Sequence, residues 1–201
     1  MPFRDGEIYI GPATDMFSVI GMANDDPEKL DRGALPALMS LPPFPVFLLA
    51  VGEKDPDVST IGLFNVFSVD KPRVGVAVKS SRWTYKLLEE TPDFTLNIPG
   101  KDLVDKVIKI GEVSGSKMNK FAEVGLTPKP GTRTRSPTIQ ECPLNLEVEK
   151  QEIIDRSDWD HIWVIGKIVH CDIHPDYDRG NMLLYWDGEF RTASKVIRKM
   201  E

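Results

Sequence analysis

Residues 60–83 read TIGLFNVFSVDKPRVGVAVKSSRW, and their alternation decides the fold class. Within RVGVAVK, Val74, Val76 and Val78 fall on one face of a strand, and Gly75 and Ala77 fall on the other with almost no bulk. Such a strand builds a core on its valine face. Its bare face admits something flat, another backbone or a helix packed over it. Upstream, PVFLLAVG (45–52) is a short apolar run ending at glycine, as a fully buried strand does. Downstream, SSRWTYKLLEETP reads as a helix ended by Pro92, with Trp83, Leu87 and Leu88 as its buried stripe.

Working outward, DFTLNIP is a strand, and DLVDKVIKIG a helix with Asp102 near its cap and Gly111 at the C′ position. SKMNKFAEVGL gives a further short helix, and KPGTRTRSPT a loop. LNLEVEKQEII alternates and so has one wet face. The chain turns between Asp155 and Asp160, and HIWVIGKIVHCDI returns as a strand apolar on both faces. Asp187-Gly188 is a hairpin turn within MLLYWDGEFR, followed by a basic tail. Strands dominate, with two or three helices between them and neither βαβ alternation nor an internal repeat. The expected fold is therefore mainly β with helical insertions, an antiparallel Greek-key barrel over residues 44–201. Residues 1–43, with acidic DDPEKLD and Pro36, Pro42 and Pro43, read as an irregular N-terminal arm of one or two short strands or turns, a lid or a dimer contact.

The 201 residues carry a formal net charge of −6, which argues against a nucleic-acid partner, since that needs a dense cationic face. With 41% hydrophobic and 28% charged residues, the chain is expected to fold over most of its length. No apolar run approaches the ~20 residues that span a bilayer, and the start lacks a signal core, so a cytoplasmic protein without a membrane partner is expected. Cys142 and Cys171 form no CxxC and are expected reduced. GxGxxG, GxxxxGK[ST], GxSxG and HExxH are all absent. On a strand, His170, Asp172 and His174 would share a face near Cys171 and could hold zinc or nickel; a polar strand end turning at Pro175 is the plainer account.

Lys79-Ser80-Ser81-Arg82 lies where a strand meets a helix start. Two serines could simply cap that helix. Yet Lys79 and Arg82 place cations where the helix dipole disfavours them, and a bound phosphate monoester would repair the conflict.

The run FPVFLLAVGEKDPDVSTIGLFNVFSVDKPRVGVAVKSSRWTYKLLEETPDFTLNIP, with SGSKMNKFAEVGLTP, CPLNLEVE and WDHIWVIGKIVH in order over about residues 40–175, resembles the flavin reductase-like family with the FMN-binding split barrel, which includes flavoredoxin and the archaeal ferric reductase. The resemblance implies a homodimer with FMN at the barrel surface near the subunit interface. Ser59, Thr60, Ile61, Gly62 and Asn65 would run beside the isoalloxazine, their backbone N–H groups meeting its N5, O4 and O2 edge. Lys79, Ser80, Ser81 and Arg82, with Thr84, would hold the phosphate. Gly75 and Ala77 would let the flat ring approach, and His161 would lie near the flavin and the nicotinamide site. This sequence departs from many relatives in having Asp57, Ser59 and Gly62 where they carry Asn, Ala and Ser, and Lys71-Pro72 where they carry two prolines. The implied activity is an NAD(P)H-dependent FMN oxidoreductase serving a small-molecule or protein electron acceptor. An FMN electron carrier reduced by another protein, or a non-enzymatic binding module, are the alternatives.

Overall fold

The computed structural model describes residues 33–193 and 196–198. Residues 1–32 of the expected arm and most of the basic tail lie outside them. The remainder of the arm holds a short helix, α1 (Ala34–Met39), where strands or turns were expected. The other elements are β1 (Phe44–Pro45), β2 (Phe47–Val51), β3 (Asp57–Ile61), β4 (Phe64–Ser68), β5 (Arg73–Val78), α2 (Trp83–Glu90), β6 (Asp93–Ile98), α3 (Val104–Glu112), α4 (Lys120–Val124), β7 (Pro128–Lys129), β8 (Thr138–Ile139), β9 (Leu144–Ile154), β10 (Ile162–Ile173), β11 (Leu183–Trp186) and β12 (Glu189–Thr192).

A seven-stranded sheet runs β3-β2-β6-β9-β10-β5-β4, every pairing antiparallel. β3 and β4 are its two edges, yet only Gly62 and Leu63 join them in the chain. Laid flat, the edges of seven strands would stand about 29 Å apart. Three virtual bonds from Ile61 to Phe64 reach at most about 11 Å. The sheet must therefore curl until its edges approach one another, and the Ala77 N–H donating to the Leu63 carbonyl at 3.0 Å carries the β4–β5 ladder into the link between them. This is a mainly β barrel with helices inserted, as the strand pattern implied, and it is split at one seam, as the resemblance implied.

β2 explains its own apolar run. Phe47, Leu49 and Val51 enter the barrel core with Val74, Val76 and Val78 of β5, and Leu88 of α2 joins them. Leu48 and Ala50 face outward into a second apolar layer under Val107 and Ile110 of α3 and Phe121 of α4. Buried on both faces, β2 has no room for a polar side chain. The long hairpin β9–β10 bends through register shifts at Ile165/Gly166 and Ile168/His170. A Cβ on Gly166 would lie 2.5 Å from Val148 Cγ1, so this position accepts no side chain. The loop before β8 hangs on Glu147, whose carboxylate accepts the N–H groups of Thr132, Arg133 and Thr134 at 2.6–2.8 Å. Burial pushes that carboxyl up, but these donors outweigh burial and hold it below the usual glutamate range.

Several local expectations are corrected. α2 begins at Trp83 with Arg82 as N-cap, and neither Ser80 nor Ser81 caps it. Its buried face is Thr84, Tyr85 and Leu88, with Trp83 half-exposed, because the helix turns its start toward a cleft rather than the core. Gly111 lies inside α3 rather than past its end, while the N-cap is Leu103, next to Asp102. The bare face of β5 is shared. Phe67 covers Gly75, where a Cβ would come within 2.5 Å of its ring, while Ala77, itself buried, borders a cavity. β10 leaves Lys167 and Cys171 to Ile173 exposed, so its far end is wetter than its composition suggested.

Candidate functional site

Where the barrel edges meet, a cavity of about 360 Å³ opens. One wall is Ser59 to Leu63, with Ala77 to Lys79 beside it. α3 supplies Val107, Ile108 and Ile110, and the β11–β12 hairpin adds Tyr185, Trp186 and Phe190. The lining is mostly apolar. Because β3 is an edge strand, its outer N–H and C=O groups have no strand partner, and its second half, Ser59 to Ile61, borders this space. His161 lies on the rim, its Nδ1 2.9 Å from Asp160 Oδ1. The hydrogen bond from His161 holds the Asp160 carboxyl below its usual range. The histidine thus bonds its own turn and borders the cavity.

A second cavity of about 120 Å³ sits at the start of α2, lined by Ser81 to Thr84, Val113 to Gly115 and Lys120. Arg82 and Lys120 belong to both cavities, so the two are neighbours across these side chains. Ser59, Thr60, Ile61, Gly62, Lys79, Arg82 and His161 are gathered around the larger cavity, and Ser81, Arg82 and Thr84 around the smaller. Asn65 and Ser80 line neither. Asn65 is exposed on β4, its Oδ1 accepting the N–H of Val66.

The hydroxyls are already engaged. Thr60 donates to the Val107 carbonyl at 2.7 Å, fastening β3 to α3. Thr84 donates to Asp57 Oδ2 at 2.6 Å, and Ser59 meets the Thr84 hydroxyl. A hydroxyl has one proton to give, so Thr84 has none for an anion. Donors left for a ligand are Lys79, the Arg82 guanidinium, the exposed Ser81 and the β3 backbone.

Beneath these residues lies a pair that sequence reasoning missed. Lys120 and Asp57 are 4% and 3% exposed, with Nζ 3.3 Å from Oδ1 and 3.4 Å from Oδ2. Lys120 also donates to the Val58 carbonyl at 2.8 Å and reaches Ser59 Oγ at 3.3 Å. Asp57 Oδ1 has the ion pair but no hydrogen bond. Burial pushes the Lys120 amine below the usual lysine range, with Asp57 pulling the other way. A Cβ on Gly115 would fall 2.2 Å from Asp57 Oδ1, so only glycine lets this loop close over the pair. Sixty-three residues separate the partners, and nothing in their spacing marks them.

The candidate metal face does not assemble as expected. Glu147, His170 and Asp172 have ligand atoms within 4.8 Å of one another. Glu147, however, is filled by the loop donors and the Thr134 hydroxyl. His174 stands apart, its Nδ1 accepting the Asp176 N–H at 3.2 Å. Among the described residues, no helix is long and apolar enough to cross a membrane.

A family model described as "Flavin reductase like domain" matches residues 39–194. An uncharacterized protein of Archaeoglobus fulgidus is 32% identical over 128 residues, 64% of this chain and 71% of that protein. Flavoredoxin of Desulfovibrio vulgaris (Miyazaki F) has TM-score 0.76 at 23% identity, over 86% of this chain and 97% of its own. An FMN-binding protein from Thermus thermophilus, with bound 1-cyclohex-2-enone, has TM-score 0.74 at 21% identity, over 86% and 99%. An NADH:FAD oxidoreductase of Streptomyces globisporus has TM-score 0.67 at 19% identity, over 77% and 87%. These structural likenesses are of fold.

The buried pair makes a thermodynamic prediction. Lys120→Met leaves Asp57 as an uncompensated buried charge and should cost about 3–5 kcal/mol in urea unfolding at neutral pH. Adding Asp57→Asn removes that charge and should restore more than half of the loss. A single variant losing under about 1 kcal/mol would show that the pair does not hold the site together.

Proposed function

Since this chain belongs to the flavin reductase-like family, we propose that it binds FMN and is an NAD(P)H-dependent oxidoreductase passing electrons to a small-molecule or protein acceptor. The observation that carries the reading is the pair of cavities meeting at Arg82 and Lys120. One is large, apolar and bordered by unpaired backbone. The other is small, more polar than the first and at a helix start beside a cation. A flat, mostly apolar ring carrying a phosphate tail matches that division. The FMN-binding protein and flavoredoxin of the same fold support the choice of cofactor, and the NADH:FAD oxidoreductase supports a nicotinamide as reductant.

When bound, FMN supplies the hydride acceptance and electron relay that no side chain here can provide. The protein binds and orients. Gly62 and the β3 edge would offer N–H groups to the ring's polar rim, and Ala77, the α3 residues and the β11–β12 hairpin would keep water from its faces. Lys79, Ser81 and Arg82 hold the phosphate, without the Thr84 hydroxyl, which Asp57 occupies. His161, fixed by Asp160, lines the rim from which a nicotinamide would approach. It positions the reductant and need not transfer a proton.

The proposal includes a homodimer. Val66, Phe67 and Val69 at the β4 edge are 53%, 45% and 80% exposed, and Phe67 packs edge-on against Trp163 at 5.9 Å. Trp163 is the cross-strand neighbour of Ala77 in the cavity wall. A second copy seated on this apolar patch would border the flavin site.

Three outcomes test the reading. Purified protein should bind FMN with a shifted visible spectrum, and Ser81→Ala/Arg82→Ala should weaken FMN at least about tenfold while leaving riboflavin unchanged; equal FMN affinity would remove the phosphate assignment. His161→Asn should keep FMN bound and fully reducible by dithionite, but slow NAD(P)H-dependent reduction about 10–100-fold. Parental rates in that variant assign His161 to its turn alone, and flavin binding without NAD(P)H oxidation in the parent favours an electron carrier. Light scattering at micromolar concentration should give the mass of two chains, with Val69→Asp moving it toward one; a monomeric parent refutes the dimer.

A further inference from the structure

Lys120 is the one basic side chain in the buried class among the described residues, and it lies in the wall between the two cavities. Its ammonium has three protons, and the Val58 carbonyl, the Ser59 hydroxyl and the Asp57 carboxylate take them. Two of these contacts are loose, at 3.3 and 3.4 Å. The Asp57 carboxylate meets it side-on, one oxygen engaged by Thr84 and the other unbonded. A cation in this place, partly desolvated and next to the start of α2, would draw an anion strongly if its own countercharge were absent.

We propose that Asp57 and Lys120 form a charge-balancing pair that limits how strongly the site prefers a phosphate-bearing flavin over its dephosphorylated form. Asp57 withholds the Lys120 charge from the smaller cavity, leaving Arg82, and Lys79 from the adjoining larger cavity, to hold the phosphate. The pair is a specificity determinant rather than a catalytic group, and this role rests on the flavin reading above. The arrangement has a physical purpose. A third uncompensated cation would tighten the phosphate end without touching the ring, and so slow release of the flavin. Asp57 also prevents Lys120 from standing as a buried charge whenever no ligand is present. Gly115 matters for the same reason, because any side chain there would push the Asp57 carboxylate away from the ammonium.

The test compares FMN with riboflavin by flavin fluorescence titration on the full chain, in the parent, Asp57→Asn and Asp57→Asn/Lys120→Met. The affinity ratio of FMN to riboflavin should rise at least about tenfold in Asp57→Asn, because Lys120 then faces the phosphate unpaired. In the double variant, which is neutral where the parent is neutral, it should return to within about twofold of the parent. Thermal unfolding without ligand checks that each variant is folded. If Asp57→Asn does not fold, the double variant decides: a ratio falling about tenfold means that Lys120 already serves the phosphate and overturns the proposal, and a parental ratio supports it. An unchanged or lowered ratio in folded Asp57→Asn, or a gain that persists without Lys120, also overturns it. A parent that binds neither flavin defeats the functional reading, and the pair's role falls with it. A parent that binds FMN separates the two.

Discussion

The two-residue link between Ile61 and Phe64 is the constraint on which the molecule depends. It ties together the two edges of a seven-stranded sheet. About 11 Å of chain cannot bridge the width of a flat sheet, so closure is a matter of length before any side chain is considered. Closure creates the barrel core of Val74, Val76, Val78 and Phe94. It also leaves a seam, since β3 and β4 approach through the link but do not pair with each other. The cavity opens on that seam, and the backbone that would have been paired in a closed barrel is left for a ligand.

Around the seam the protein has used its polar groups sparingly and almost completely. Thr60 fastens β3 to α3, and Thr84 with Lys120 fastens it to α2 and α4, both through Asp57 and its neighbours. These contacts fix the edge strand without neighbours on its outer side. They also use up the hydroxyls nearest the site, leaving backbone N–H groups and the exposed cations for binding. A cofactor would therefore be gripped by charge at one end and by backbone along its rim, while apolar residues of α3 and of the C-terminal hairpin cover its faces. Such a division lets the cofactor carry the chemistry and the fold supply orientation.

Strand positions on β2, β5 and β6, and burial on β2 and the valine face of β5, were legible because they follow from a period of two and from apolar runs bounded by glycine or proline. The helix starts were less so. Arg82 and Leu103 serve as N-caps with no capping side chain, because packing against the barrel, rather than the cap, decides where α2 and α3 begin. Seven of the eleven expected site positions do gather at the larger cavity, because β3, β5 and the turn before β10 each bring a contiguous run to the seam. Asn65 fails to join them since it lies past the link, on the other edge.

What the sequence by itself determined is what local pattern controls: a mainly antiparallel β fold, a strand with one bare face, and a strand-to-helix junction carrying cations suited to an anion. Only the tertiary structure decided which groups remain free. The bare glycine turned out to be roofed by Phe67, the threonine hydroxyl to be taken by Asp57, and a lysine on a distant helix to complete the wall between the two cavities. Those facts depend on contacts between residues far apart in the chain. Burial and hydrogen-bond satisfaction are properties of the closed barrel, and no local run of residues encodes them.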